Sequence, residues 1–179
     1  MTRPALVIGI GNPDRGDDAV GVQVARQVAA ERLDVNVLEF DDPSEAIDAW
    51  EPEDIVIVAD AVRSGGHPGD LHVVNAVAQK LPVGKWSAGG THALGLAAAV
   101  ELARALDRLP ARLVVVGVEA NHFGHGTPLS EPVAAAVPEA VLAVLAAIDE
   151  ATDEAIADGI DDGIDEEADD VTDDLGAEP

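Results

Sequence analysis

Short runs of apolar residues alternate with polar and glycine-containing segments along most of the chain. Runs of about five Val, Ile and Leu residues are typical of strands that are buried on both faces of a parallel sheet. The pattern therefore predicts five strands, of which we place the fourth at an edge of the sheet. They are Leu6–Ile10, Val35–Phe40, Ile55–Ala59, Leu71–Val74 and Leu113–Val118.

Between the strands, apolar residues recur with helical spacing. Val20, Val24 and Val28 lie four residues apart, which places them on one face of an amphipathic helix that begins near Asp17–Asp18. A second helix with an apolar stripe follows Thr91, which is a good N-cap residue. Pro110 is predicted to end this second helix.

Two further helices complete the pattern. Pro43 begins a short helix that reaches Trp50. Ser130 caps a final helix that extends to about Ala147, with a kink or a boundary at Pro138. Alternating strands and helices predict an α/β fold, a three-layer sandwich around a mostly parallel sheet, within a single domain.

The composition changes near residue 150. Residues 149–179 contain 15 acidic residues and no basic residue, and the apolar periodicity is lost there. A segment with high net charge and few large apolar side chains does not bury enough surface to fold. We therefore expect a folded domain at residues 1–150 and a disordered acidic tail at residues 151–179.

Charge and cysteine content exclude several classes of function. The net charge of the chain is −25, and residues 1–148, with 20 acidic and 10 basic residues, still carry −10. Such a surface repels phosphate backbones, which argues against nucleic-acid binding. The absence of cysteine excludes disulfides, thiolate metal sites and a cysteine nucleophile. No apolar run approaches the roughly 20 residues of a membrane span, so we expect a cytoplasmic protein without membrane association.

Polar side chains follow the predicted strands at the edge of the sheet where open α/β folds bind ligands. Asp18 follows the first strand, Asp60 follows the third, and His92 begins a helix behind a glycine-rich segment. Two carboxylates and one imidazole suit a divalent transition metal, and three protein ligands leave positions for water or substrate. These residues are therefore the candidate metal site.

Each candidate ligand also has a simpler interpretation. Asp17 or Asp18 is placed to cap the first helix, which is the commonest role of aspartate at a helix start. Asp60 is placed to bind loop amides, and His92 to lie exposed in the first turn of its helix. Spacing along the chain does not distinguish these roles from metal binding.

The remaining polar residues are weaker candidates. Glu119 follows the last strand and is a further acidic group at the same sheet edge. His122 and His125 lie in a glycine-containing loop and are expected to be exposed. His67 and His72 lie in no recognisable ligand pattern.

The glycines after the first strand do not form a nucleotide-binding loop. Gly9, Gly11 and Gly16 fail to match G-x-G-x-x-G because position 14 is Asp, and no Gly-Lys-Ser/Thr occurs. The acidic side chains in this segment also repel a pyrophosphate.

Four segments resemble the motifs of the hydrogenase maturation protease family, in the family's order and spacing, over about residues 4–148. The first segment, a strand with its glycine loop and the helix that follows, is LVIGIGNPDRGDDAVGVQVARQV at residues 6–28. IVIVADAV at residues 55–62 contains Asp60 at the position of the family's aspartate, and GGTHALGL at residues 89–96 contains its histidine, His92. The closing segment is VVVGVEANHFGHGTPLSEPV at residues 114–133.

The sequence departs from the family pattern at three positions. The family's first ligand is commonly Glu, whereas Asp18 is one methylene shorter and has Asp17 as an acidic neighbour. Ala120 replaces a usual Pro, and Glu131 stands where the family often has Pro. The change at Asp18 affects the ligand distance more than the identity of the site.

The resemblance implies an endopeptidase that depends on nickel. It would remove the C-terminal extension from the precursor of a [NiFe] hydrogenase large subunit, and the nickel would be carried by that precursor rather than by a permanent cofactor site. Asp18, Asp60 and His92 would contact the nickel and position the scissile peptide. A monomer is the default state of the family.

Two other functions are open at this stage. Peptidyl-tRNA hydrolases also begin with a strand and Gly-x-Gly-Asn-Pro, as at Gly9–Pro13, but their early Arg-His-Asn is absent here. The second alternative is a non-catalytic protein of the same fold, which would bind metal or precursor without cleavage.

Overall fold

The computed structural model describes residues 3–83, 86 and 95–161, and it contains one five-stranded sheet. The strand order is β2-β1-β3-β5-β4, in which only β4 runs antiparallel, at the edge of the sheet. This confirms the mostly parallel sheet and the edge position of the fourth strand. The strands are β1 (Leu6–Ile10), β2 (Asn36–Phe40), β3 (Ile55–Val62), β4 (Leu71–Asn75) and β5 (Arg112–Glu119).

Helices cover both faces of the sheet, which confirms the three-layer α/β sandwich. The helices are α1 (Val20–Glu31), α2 (Pro43–Ala46), α3 (Leu96–Ala105) and α4 (Glu131–Asp161), and a 3-10 helix (Gly16–Ala19) precedes α1. Side chains of α1 and α4 pack against one face in one core cluster, while α2 and α3 contribute to the cluster on the other face.

The apolar pattern of the sequence matches what the fold buries. All eight residues of β3 are buried, as expected for a central strand covered on both faces. Val20, Val24 and Val28 of α1 have no exposed surface, which confirms the predicted helical stripe. Burial of each such side chain stabilises the fold by about 1.5–3 kcal/mol, so this stripe is sufficient to hold α1 on the sheet.

One strand is longer than the sequence pattern predicted. Strand β3 continues beyond Ala59 to Val62, because its pairing with β5 extends from Ile55↔Arg112 to Val62↔Glu119. A polar residue after an apolar run suggested an end at Ala59, and that prediction was wrong. Asp60 consequently lies within the strand, where the backbone pairing holds its position.

The two helices on the second face are shorter than predicted. Helix α2 is capped by Asp42, whose Oδ1 accepts from the Ser44 amide at 2.8 Å, and the helix ends before Trp50. The Trp50 indole donates to the Arg108 carbonyl at 2.9 Å, which fixes this segment against the end of α3.

Helix α3 ends at Ala105, five residues before Pro110. Asp107 has a positive φ of 56°, and the Arg108 amide donates to the Ala103 carbonyl at 2.8 Å, as in a Schellman cap. Backbone reversal, rather than proline, therefore ends the helix. Its first described residue is Leu96 after Gly95, and the predicted N-cap Thr91 lies outside the described residues.

The last helix continues beyond the domain boundary predicted at residue 150. Helix α4 extends to Asp161, Ala151 is 5% exposed, and Arg112 forms ion pairs with Glu154 and Asp158. Residues 151–161 are therefore helical, and Ala151, Glu154 and Asp158 contact the rest of the fold, which differs from the predicted tail. Residues 162–179 lie outside the described residues.

Helix α4 is also the longest apolar segment of the chain. Ser130 precedes it and Pro138 lies inside it rather than at a boundary. By length and composition the helical segment Glu131–Gly159 is able to cross a bilayer, since one 18-residue window of it has a mean hydropathy of 1.7, and the sequence pattern did not predict this. In the fold, Val141 and Val144 of this helix belong to the core against α1 and the sheet.

Candidate active site at the carboxyl edge of the sheet

The candidate site lies where β1 ends beside the longer strand β3. The last paired residues of β1 and β3 are Gly9 and Ala59, so Asp60 lies one residue beyond this pairing. The 3-10 helix occupies this place because α1 begins very close to the strand ends. A Cβ on Gly21 would lie 2.3 Å from the Ala59 carbonyl oxygen and 2.4 Å from that of Ile10, so only glycine permits this approach.

Asp60 is a buried carboxyl group with an unsatisfied oxygen. Its residue is 2% exposed, and Oδ1 has no hydrogen-bond partner in the described part of the chain. Burial first, and the neighbouring charge of Asp18 second, raise the pKa of Asp60 well above its usual value. Because buried polar atoms almost always have partners, this oxygen indicates a position where a ligand or a proton is needed.

Asp18 is held beside Asp60 by the glycine loop. It is 4% exposed, its Oδ2 accepts from the Asn12 amide at 3.1 Å, and Arg15 Nη1 lies 3.9 Å from the same oxygen. Gly11 has a φ of 131°, and a Cβ there would lie 1.8 Å from the Asp18 carbonyl oxygen. The glycine of the first motif is therefore required to bring Asp18 against the strand end.

Asp17 has a structural role that differs from that of Asp18. Its carboxylate is fully buried and accepts four hydrogen bonds, from the amides of Asn121, His122 and Ser130 and from the Ser130 hydroxyl, at 2.7–3.2 Å. Burial raises the pKa of Asp17, but the hydrogen bonds from Ser130, His122 and Asn121 outweigh burial and lower the pKa below 3.8. Both oxygens are thus occupied.

Neither aspartate is the N-cap of α1, because the N-cap residue is Ala19 and makes no side-chain cap bond. Asp17 instead joins the 3-10 helix to the loop after β5 and to the start of α4. The simpler interpretation of these residues as helix caps was therefore wrong. Of the two aspartates, Asp18 is the one whose charge acts on Asp60.

Glu119 is a second fully bonded carboxylate at the same edge. Its oxygens accept from the amides of Ser64, Gly65 and Gly66, from the Ser64 hydroxyl and from His72 Nε2, at 2.7–3.1 Å. Burial raises its pKa, but the bonds from Ser64, His72 and Gly65 outweigh burial and lower the pKa below its usual value. Glu119 therefore fixes the loop that follows β3.

Sequence reasoning missed this role of Glu119 and His72. The His72 ring also lies 5.5 Å from the Trp86 ring, so this histidine is a packing residue on β4. The available signal was the Ser-Gly-Gly segment after β3, whose free amides require an acceptor.

The remaining histidines are placed as follows. His122 and His125 are exposed, as predicted, and the His122 amide binds Asp17. His67 is an exposed loop residue whose amide donates to Asp70 at 3.0 Å. His92 lies outside the described residues, so its predicted place beside the two aspartates stays a prediction. Within residues 3–83, 86 and 95–161, no group of three His, Asp or Glu side chains is placed to hold a metal ion.

The pairing of Asp18 with Asp60 determines which ions the site is able to hold. Two adjacent buried carboxyl groups, one of them with a free oxygen, repel each other when both are ionised. A divalent cation or a proton removes the repulsion, and carboxylate oxygens are suitable donors to a divalent metal. The pair is therefore able to hold a divalent cation or a shared proton.

Solved structures of maturation endopeptidases have the same fold. The chain is similar to the hydrogenase maturating endopeptidase HybD from E. coli, with 26% identity and a TM-score of 0.65, over 83% of this chain and 93% of that chain. It is similar to a [NiFe] hydrogenase maturation protease HycI from Thermococcus kodakarensis KOD1, with 26% identity and a TM-score of 0.59, over 81% and 90%. HybD from Thermococcus kodakarensis shares the fold at 24% identity and a TM-score of 0.60, over 77% and 94%.

The family model for HycI, hydrogenase maturation protease, matches residues 41–147, which is more than half of the chain. The chain therefore belongs to the hydrogenase maturation protease family. It is an endopeptidase, and thus a hydrolase, of a family that acts on hydrogenase large-subunit precursors. Among curated protein sequences, none matches the chain at a significant level.

Proposed function

We propose that this endopeptidase removes the C-terminal extension of a [NiFe] hydrogenase large-subunit precursor only after nickel has entered that precursor. Asp18, Asp60 and His92 contact the nickel of the substrate and place the scissile peptide beside it. The protein holds no permanent metal and works as a cytoplasmic monomer. The observation that carries the proposal is the buried, unsatisfied Oδ1 of Asp60 beside Asp18.

The carboxylate pair supports a dependence on metal for an electrostatic reason. Without a cation, the raised pKa of Asp60 keeps its carboxyl group protonated over a wider pH range than a surface aspartate. A metal ion of the substrate competes with this proton, because the ligating form is the carboxylate. Docking of a nickel-loaded precursor is thus favoured over docking of an empty one.

The position of α3 supports the inclusion of His92. Successive side chains of β3 point to opposite faces of the sheet. Ala59 and Ala61 lie on one face, so Asp60 lies on the other face with Val58 and Val62. Helix α3 packs in that layer, and His92 precedes its first described helical residue, Leu96, by four positions in the sequence. In the sequence, His92 is therefore only a few residues from α3, the helix that covers the face of the sheet on which Asp60 lies.

The test is cleavage of the precursor from the same source, prepared with and without nickel, by the full-length protein. We expect loss of the C-terminal extension only from the nickel-loaded precursor. Asp60→Asn should reduce the rate by about a hundredfold or more, because it removes a negative group from the reacting centre. Mass spectrometry of the large subunit reports the cleavage directly.

Asp34→Asn is the matched control for this substitution. Asp34 is exposed just before the amino end of β2, at the opposite edge of the sheet, where it pairs with Arg32 at 2.9 Å. Its substitution should leave the rate unchanged. Equal cleavage of loaded and empty precursor would contradict the nickel dependence, and binding without cleavage would favour the non-catalytic alternative.

A further inference from the structure

A groove beside the candidate active site contains an arginine without an acidic partner. Arg63 follows β3 directly, three residues beyond Asp60, and is exposed. Every other arginine of the chain pairs with a carboxylate, as shown by the ion pairs of the described residues. Arg63 makes no ion pair or hydrogen bond among the described residues, although the chain carries a net charge of −25.

The guanidinium of Arg63 is nonetheless held in place. Its Cζ lies 5.5 Å from the centre of the Phe123 ring, so the planar group interacts with the aromatic face. This stacking leaves the N–H groups at the edge of the guanidinium available for a planar acceptor. The next three residues are fixed, because the amides of Ser64, Gly65 and Gly66 all donate to Glu119.

The groove lies at the same carboxyl edge of the sheet as the candidate active site. Its volume is about 550 Å³, and Arg63, Gly65, Gly66, Glu119, Ala120 and Asn121 line it. The Asn121 amide donates to Asp17, the neighbour of Asp18, at 3.2 Å. Arg63 continues the strand that holds Asp60. One wall of the groove thus follows β3, which carries Asp60, and the other follows β5 and is bonded to Asp17.

We propose that Arg63 binds a carboxylate of the precursor and thereby selects a substrate with an acidic group near the cleavage point. This inference rests on the proposed function. Three residues of a strand span about 10 Å, so the carboxylate lies about three residues of extended peptide from the scissile bond. Its source is either an Asp or Glu side chain of the precursor or the terminal carboxylate of the C-terminal extension.

The first experiment measures kcat and KM for cleavage of nickel-loaded precursor by the wild type, Arg63→Gln and Arg63→Lys. Loss of a bidentate, charge-assisted contact should raise KM by about tenfold or more in Arg63→Gln, with kcat nearly unchanged. Arg63→Lys should retain part of the affinity, because a lysine keeps the charge but loses the planar fork. Arg26→Gln, which removes a surface pair with Glu39, is the control and should match the wild type.

The second experiment identifies the carboxylate. Acidic residues near the cleavage point are changed singly to their amides, and in a separate precursor the C-terminus is amidated. One of these changes should raise KM for the wild type and abolish the difference between the wild type and Arg63→Gln, as in a double-mutant cycle. If a precursor with a substituted Asp or Glu abolishes the difference, the carboxylate is a side chain; if the amidated precursor does so, it is the terminal carboxylate.

Two results would overturn the inference while leaving the proposed function intact. The first is a KM of Arg63→Gln equal to that of the wild type. The second is a KM difference between the wild type and Arg63→Gln that persists with every neutralised precursor. A wild-type protein that cleaves no precursor would instead overturn the proposed function itself. In that case binding of the nickel-loaded precursor to the wild type and to Arg63→Gln would still test the contact, because equal affinity would exclude it.

Discussion

Asp17 and Asp60 are buried carboxyl groups at the same edge of one sheet, yet their surroundings are opposite. Asp17 accepts four hydrogen bonds, and its pKa is lowered. Asp60 has an oxygen without a partner in the described chain, and its pKa is raised. The pKa values differ because burial and the charge of Asp18 dominate at Asp60, whereas hydrogen-bond donors outweigh burial at Asp17.

The contrast separates a carboxylate that holds the fold together from the carboxyl group on which the proposed function depends. Hydrogen bonds from three backbone amides convert Asp17 into a stable junction between the 3-10 helix, the loop after β5 and α4. At Asp60, burial and the charge of Asp18 outweigh the hydrogen bond from the Ala61 backbone and destabilise the ionised form. Catalytic groups commonly carry this kind of stored cost, which binding of substrate then relieves.

Asp17→Asn should have the largest effect on stability, a loss of about 2–4 kcal/mol in the free energy of unfolding. Backbone amides face both oxygens, so either orientation of an asparagine places its NH₂ group against an N–H donor. Chemical denaturation at neutral pH measures the loss. Asp14→Asn, at an exposed residue of the same segment, should change stability by less than about 0.5 kcal/mol.

The pH dependence of this effect has a defined sign. The lowered pKa of Asp17 stabilises the fold above the unfolded value of 3.8, and this stability is lost as pH falls through the folded pKa. The difference between the wild type and Asp17→Asn should therefore become smaller in acid. A constant difference across pH would show that the hydrogen bonds do not depend on the ionised carboxylate.

Glu119→Gln should cost less, about 1–2 kcal/mol, although Glu119 accepts five hydrogen bonds. Three of the donors are amides that share Oε1, which a glutamine oxygen replaces. The other two are the Ser64 hydroxyl and His72, each of which is able to accept a bond instead. Denaturation of this variant beside Glu139→Gln, an exposed position on α4, measures the difference. A cost as large as that of Asp17→Asn would contradict this account.

Asp60→Asn should have the opposite sign, a gain in the free energy of unfolding at neutral pH. A raised folded pKa means that the native state binds the proton more tightly than the unfolded state does. Stability of the wild type therefore falls as pH rises from 3.8 through the folded pKa, and a neutral amide removes this loss. The gain should disappear as the pH approaches 3.8. A destabilised variant at neutral pH would show that Asp60 has a stabilising partner in its ionised form.

The local pattern of apolar residues was sufficient to predict the helices and strands that form the layers of the fold, because that pattern depends on residues close together in the sequence. Val20, Val24 and Val28 are all fully buried, and the five predicted strands occur in one sheet. The ends of elements were less well predicted, since they depend on distant partners. Strand β3 continues to Val62 because β5 pairs with it, and α4 continues to Asp161 with Arg112 of β5 beside it.

The sequence by itself determined the class of fold, the family resemblance and the residue types at the strand ends. It did not exclude Asp17 as a competitor of Asp18 for the candidate site, because the two residues have the same chemistry. Only the tertiary structure showed that Asp17 has a structural role, by bringing to its carboxylate the amides of residues more than 100 positions away. Hydrogen-bond donors that converge from distant segments leave no local pattern in the sequence.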